Sequence, residues 1–249
     1  MFIIWEGKHM LKYKDVYSKV LPEAKKQSEK PNILLSLVLR PLGIYATLPF
    51  LNTKIQPTTI TKLSVAASLI GFGFLAFGRQ LVFSIIGWFF FFIWVVLDGV
   101  DGNLARYKDQ TSAMGEVWDA FGGYVAMVLT YFGAGIAAFY DVNRFSFCEP
   151  YWFLIIGGAT AVMSIFPRLM MHKKRGTIGS NESTIEFTNK QAFGVKQAIA
   201  MNVLSLTGFF QILFLACIIL RLLNLWILFY GIVNFMMMLI SLHSILKSR

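Results

Sequence analysis

Apolar residues fall along this chain in long blocks rather than in alternation, and about six blocks are each near the roughly 20 residues a helix needs to cross about 30 Å of hydrocarbon. The first opens at Ile55-Gln56-Pro57-Thr58-Thr59-Ile60-Thr61 and runs to about Phe77. Proline suits an early helical position there, and the threonines are available to cap orphan N–H groups. Gly78-Arg79-Gln80 makes a short turn into a second block, Leu81 to about Val100, which carries the aromatic run Trp88 to Phe92 and no charge before Asp98. A polar connector from Arg106 to Ala113 leads to a third block, about Met114 to Tyr140. The loop Asp141 to Pro150 leads to a fourth, Tyr151 to Phe166. Pro167 to Gln197 is polar, and blocks at about 198–220 and 223–246 follow, divided by Arg221-Leu222-Leu223-Asn224.

The first 54 residues differ. Lysines 8, 12, 14, 19, 25, 26 and 30 are interspersed with a few apolar residues such as Val16, Val20 and Leu21. Asn32 to Leu51 is leucine-rich around Arg40 and Pro41, which predicts a helix started or broken by proline. It lies either in the headgroup layer or packed under the bundle. The predicted fold is therefore all-α: a polytopic membrane protein of six transmembrane helices (residues 55–249) behind a cytoplasmic, interfacial amphipathic N-terminal segment (residues 1–54).

Composition agrees, with 56% hydrophobic residues, 14% charged residues, 24 Phe and a mean hydropathy of +0.61. The formal charge of +10 could suggest nucleic acid, but its placement argues for a membrane partner and no nucleic acid. Twenty Lys and Arg fall in segments on one side of the predicted spans, and only Arg79, Arg144 and Arg221 on the other. Since basic loops stay cytoplasmic, both termini are expected in the cytoplasm. No cleavable signal peptide is expected from the charged, interrupted start, and Cys148 and Cys217 form no metal-like spacing.

Chemistry concentrates between Asp98 and Gly123, DGVDGNLARYKDQTSAMGEVWDAFGG. Charged groups beside hydrocarbon are costly and usually functional. Asp98 and Asp101, three residues apart, share a helix face, and Asp119 meets them if spans two and three pack as a tight antiparallel pair. Three converging carboxylates repel unless protonated or neutralised, and hard oxygen ligands suit Mg²⁺ or Mn²⁺. Gly99, Gly102, Ala105 and Gly115 leave the flanking surface bare. Each alone reads as helix packing; together with the acids they imply room for a bulky polar ligand.

Asp98-x-x-Asp101-Gly102-x-x-Ala105-Arg106, then eight residues to Gly115 and three more to Asp119, resembles the signature of the CDP-alcohol phosphatidyltransferases. Pro57-Thr58-x-x-Thr61 is similar to that family's Pro-Asn-x-x-Thr entry, with Thr58 in place of Asn. The resemblance implies six membrane helices, a cytoplasmic-side site, a homodimer, and attack of an alcohol acceptor on the phosphorus of a CDP-linked donor with release of CMP. It implies that Asp98, Asp101 and Asp119 hold two divalent cations, Mg²⁺ or Mn²⁺, on the donor's pyrophosphate. Gly102, Ala105 and Gly115 would line the cytidine pocket, with Arg106 near the donor and Thr61 at the substrate.

The pattern ends in the family with a fourth Asp, a metal ligand and general base, where this chain has Gly123. Glu116 and Asp109 are the nearest other carboxylates for the base. Three explanations stand: a divergent enzyme, a non-catalytic relative or partner subunit that binds a CDP-linked ligand, or an engineered or accidental Asp→Gly change. Gly122-Gly123-Tyr124 reads as a close-packed variant, which favours the first.

Arg168, after Pro167, is either an anion site for the acceptor's phosphate or a topology anchor, and His172-Lys173-Lys174-Arg175 reads more readily as the latter. Asn202 and Asn234 suit bonding between helices, and the eleven Met suit space filling. An ion or solute transporter with intramembrane acids is a further class, disfavoured by the Gly, Ala and Arg spacing around the acids.

Overall fold

The computed structural model describes residues 13–141, 148–178, 202 and 207–247, with the helix path alone at 24, 25, 28, 171–178 and 244–247. Every element it describes is helical, with no strand among the described residues. The N-terminal segment holds α1 (residues 13–20), α2 (Glu23–Glu29) and α3 (Arg40–Thr47), the last entered through a π turn at Leu35–Leu39 and left through a 3-10 turn at Leu48–Phe50. The long helices are α4 (Pro57–Phe77), α5 (Leu81–Tyr107), α6 (Ala113–Tyr140), α7 (Tyr151–Ile178) and α9 (Leu223–Lys247), with the shorter α8 (Phe210–Ile219) before α9.

Among the described residues five helices are long and apolar enough to span a membrane: α4, α5, α6, the Tyr151–Met170 part of α7 and the Leu223–His243 part of α9. Six were expected. Of the fifth expected block only Asn202 and the run from residue 207 are described, so its onset lies outside the described residues, while the 172–175 basic cluster falls on the last turns of α7, where the helix path alone is described. The chain is an integral membrane protein. Its outer surface suits hydrocarbon, with Phe77 78% exposed and Leu69, Val82, Ile155 and Ile232 also facing out.

Local chemistry sets the helix ends. Pro57 occupies the first turn of α4, but Gln56 is the N-cap and makes no side-chain cap, so the threonine capping expected there does not occur. Helix α5 does not stop near Val100. It continues through Asp98, Asp101 and Arg106 to Tyr107, with Gly99 and Gly102 inside the helix. It ends where Asp109 turns left-handed (φ 53°), with Gln110 N–H bonding Ala105 O at 2.8 Å and Asp109 N–H bonding Arg106 O. Ser112 then caps α6, its Oγ accepting from Gly115 N at 3.0 Å. Helix α7 likewise passes through Pro167 instead of ending at Phe166.

Glycines decide which helices touch. A Cβ on Gly71 of α4 would lie 2.9 Å from Gly87 O of α5, and the reverse distance is the same. A Cβ on either Gly135 of α6 or Gly157 of α7 would lie 2.7 Å from the other's Cα. A Cβ on Gly133 of α6 would lie 3.1 Å from Leu75 of α4, so α4 packs closely on both α5 and α6, while α5 and α6 touch each other little. The tight antiparallel packing of α5 on α6, the condition under which Asp119 would meet Asp98 and Asp101 directly, is absent, since α4 packs on both. Farther along, Tyr131, Phe210, Phe214, Trp226 and Tyr230 form an aromatic core joining α6, α8 and α9. Arg79 stacks on Tyr140 and Arg221 pairs with Asp141 at 3.0 Å, tying the helix ends beyond it.

The N-terminal segment is packed on the bundle. Val16, Val20 and Ile44 are fully buried together, and α3 lies on α5 while Leu37, Leu42 and Tyr45 face outward. Asp15 accepts from the Tyr107 hydroxyl at 2.8 Å, and Lys19 pairs with Asp109 at 3.1 Å.

Overpacking a close crossing costs about 1–3 kcal/mol. Gly157→Ala is expected to lower the unfolding temperature in detergent clearly, whereas Gly73→Ala, whose added methyl meets nothing within 4 Å, is not. Thermal unfolding of the two variants beside the unsubstituted chain checks this.

Candidate active site

The site opens where α4 begins, α5 ends and α6 begins. Because α5 and α6 stand apart there, a cavity of about 650 Å³ lies between them, walled on the remaining side by the N-terminal segment. Asp98 and Asp101 reach it from α5 and Asp119 from α6. All three expected carboxylates thus share one cavity but sit on two walls of it.

Asp101 is the most sequestered, at 4% exposure. Thr61, equally buried one turn into α4, donates its hydroxyl to Asp101 Oδ2 at 2.6 Å. Position 61 matters because α4 is the helix between the two walls. Asp98 lies in the field of Asp101 and Asp119, and Arg168 of α7 is the cation close enough to offset them. Asp98 and Asp101 have no ion pair within 4 Å among the described residues.

Three converging ligands were expected. Among the described residues no three acidic, histidine or cysteine side chains come together around one point, because the walls are held apart. The donor set nonetheless fits divalent cations of the Mg²⁺ type, which prefer oxygen donors and are commonly held by one or two carboxylates with the rest of the shell left to water and substrate phosphate. Two carboxylates on one wall and a third opposite leave that room.

The remaining expected residues divide clearly. Gly102, Ala105, Arg106, Gly115 and Glu116 line the cavity. Bare Gly102 lets the Arg106 guanidinium fold back over it, for a Cβ there would lie 3.2 Å from Arg106 Nη2. Asp109 does not line the cavity; it terminates α5 and pairs with Lys19. Gly123 and Arg168 are outside the lining too, but they meet one another, a Cβ on Gly123 falling 3.3 Å from Arg168 Nη1. Arg168 itself is exposed. Gly122 packs on Val65 and Thr61 of α4, in keeping with a close-packed Gly-Gly pair.

Sequence reasoning missed the wall made by the N-terminal segment: Leu35, Leu39, Arg40 and Gly43, with Asn103 of α5 beside them. An arginine inside a leucine-rich stretch was the available signal. Asn202 was read as an interhelical group; its amide donates to Pro31 O at 2.6 Å and its carbonyl accepts from Ile33 N at 2.9 Å, so it fastens this wall to the entry of α8. Asn234 bonds back to Tyr230 O and also meets the Tyr131 hydroxyl of α6.

The fold and the site together define a membrane-embedded helical protein with a carboxylate-lined cavity at its helix ends. The family model for CDP-alcohol phosphatidyltransferase matches residues 54–242, and the chain belongs to that family. The family transfers a phosphate-linked group from a CDP-alcohol to an acceptor and is generally dependent on divalent metal. No curated protein matches the sequence.

A hydrogen bond to a charged group contributes about 1.5–3 kcal/mol. Thr61→Val is therefore expected to weaken CDP binding in the presence of Mn²⁺ by at least about tenfold, and Thr61→Ser to retain most of it; calorimetric titration of the two variants is the check.

Proposed function

We propose that this chain is a divalent-metal-dependent phosphotransferase of phospholipid or polyol-phosphate synthesis, acting on a CDP-linked donor and an alcohol acceptor. The observation that carries it is the meeting of Asp98, Asp101 and Asp119 around one cavity, with Thr61 and Arg106 beside them. The acceptor oxygen bonds to the donor phosphorus distal to cytidine. The bond from that phosphorus to the bridging oxygen breaks, and CMP departs with that oxygen. Asp98, Asp101 and Asp119 would hold the cations, which when bound neutralise the pyrophosphate and the charge growing on the leaving oxygen.

The chain's own groups do the rest. Gly102, Ala105 and Gly115 are the small residues of the wall on which a cytidine would lie, with the Arg106 guanidinium over Gly102 facing the donor. The acceptor's hydroxyl proton passes to Glu116, the lining carboxylate outside the three-acid set, in place of the acid absent at position 123. Arg168, beside Gly123, receives an anionic acceptor group; its guanidinium borders the space that a side chain at 123 would take. The excess of Lys and Arg on one side supports cytoplasmic termini, and hence a site on the cytoplasmic side. Residues 1–54 form an interfacial segment before the six-helix domain, and family resemblance supports a homodimer.

Gly123 also supports a second reading, a non-catalytic protein or partner subunit that binds a CDP-linked ligand. Release of CMP from CDP-diacylglycerol and other CDP-alcohols with Mg²⁺ or Mn²⁺ is the deciding measurement. Release is expected, and Asp101→Asn is expected to cut it by about a hundredfold or more, the scale of removing transition-state charge stabilisation. Tight CDP binding with no release from any donor would favour the binding protein.

Gly123→Asp separates the readings again. In an adapted enzyme the new carboxylate would meet Arg168 and lower turnover. Activity that appears only in this variant would identify a site that had lost its base.

A further inference from the structure

The basic end of the cavity is built from two parts of the chain that the family match separates. Arg106 belongs to the matched residues 54–242, while Glu29 and Arg40 precede them. Arg40 and Glu29 form a fork-to-fork ion pair: Arg40 Nε donates to Glu29 Oε2 at 2.9 Å, and Nη2 donates to the other oxygen. The pair is mostly sequestered, with side chains 11% and 14% exposed. Arg40 also donates through Nη1 to Asn103 Oδ1 at 3.3 Å.

Asn103 is fully buried, and the same Oδ1 accepts from Arg106 Nη2 at 3.2 Å. Its amide donates to Thr47 Oγ1 of α3 at 3.4 Å. Two guanidinium groups thus converge on one carbonyl oxygen, with Glu29 as the compensating anion. That bond to Asn103 is the side-chain hydrogen bond that directs Arg106: its Nε is buried without a hydrogen-bond partner, and its guanidinium lies over Gly102 in the field of Glu29, Asp101 and Asp119. A guanidinium held by one directional hydrogen bond turns with the group that accepts it.

We propose that Arg40 is a positioning residue which, paired with Glu29 and acting through Asn103, aims Arg106 at the phosphates of the CDP-linked donor, so that the N-terminal segment sets donor affinity. The inference rests on the phosphotransferase reading above. Arg40 lines the cavity itself, but three of its five N–H groups are already committed, so its effect runs through Arg106. The geometry needs a fork that holds two partners in a plane, which a lysine ammonium cannot copy.

The experiment is titration of the full-length chain in detergent with CDP, the portion every CDP-linked donor shares, in the presence of Mn²⁺, alongside thermal unfolding. Arg40→Gln and the isosteric Glu29→Gln are each expected to weaken CDP binding about tenfold, with Arg40→Lys no better than partial rescue. In a cycle with Arg106→Ala, the Arg40→Gln effect is expected to shrink to less than twofold, because there is no longer an arginine to aim. Equal, additive losses in the presence and absence of Arg106 would overturn the proposal, as would unchanged CDP affinity in Glu29→Gln and Arg40→Gln. Failure of the unsubstituted chain to bind CDP at all would instead overturn the functional reading beneath it. If Arg40→Gln fails to fold, Glu29→Gln carries the same cycle.

Discussion

Carboxylates among apolar helices are tolerated only where something compensates them, and here the placement of α4 supplies the arrangement. Because Gly71 and Gly87 let α4 and α5 approach closely, α4 can lie between α5 and α6 instead of beside them. That single packing choice separates the two acidic walls, opens the cavity and brings the Thr61 hydroxyl onto Asp101. Had α5 and α6 packed directly, three acids would have met with no space for a ligand between them. Their mutual repulsion would then have opposed folding instead of awaiting a cationic partner.

The acidic wall is balanced at the other end of the cavity by a basic one, and the two are built differently. The acids stand on long membrane helices whose positions are set by glycine crossings and an aromatic core. The basic end depends on polar bonds to a short segment: Glu29 to Arg40, Arg40 to Asn103, and Asn202 to the backbone at Pro31 and Ile33. Buried hydrogen bonds of this kind specify one arrangement because leaving any of them unmade is costly. The N-terminal segment is consequently part of the site and not merely a surface anchor, although its outward Leu37, Leu42 and Tyr45 still suit an apolar or interfacial environment.

Position 123 shows how a glycine brings a cation to the edge of the acidic helix α6. The space beside Gly123 borders the Arg168 guanidinium, and Gly122 packs on α4. A cation therefore stands next to position 123, one turn beyond Asp119.

Much of this was legible in the chain itself. Long apolar blocks dictate membrane helices wherever backbone groups must bond within their own segment, so the boundaries of α4, α6 and α9 followed closely from hydropathy. The motif from Asp98 to Asp119 located the acids, since their spacing survives any rearrangement of the helices. The continuation of α5 to Tyr107 was not legible, because the left-handed cap at Asp109 that ends it depends on backbone geometry that an aspartate does not announce. Nor was the separation of α5 from α6, which rests on which glycines meet which, nor the convergence of Arg40 and Arg106 on Asn103, which joins residues 66 positions apart. Sequence by itself determined the class of fold and the chemical identity of the site, because both reside in local pattern; only the tertiary structure decided which walls face each other, because that depends on close contacts between residues the chain keeps far apart.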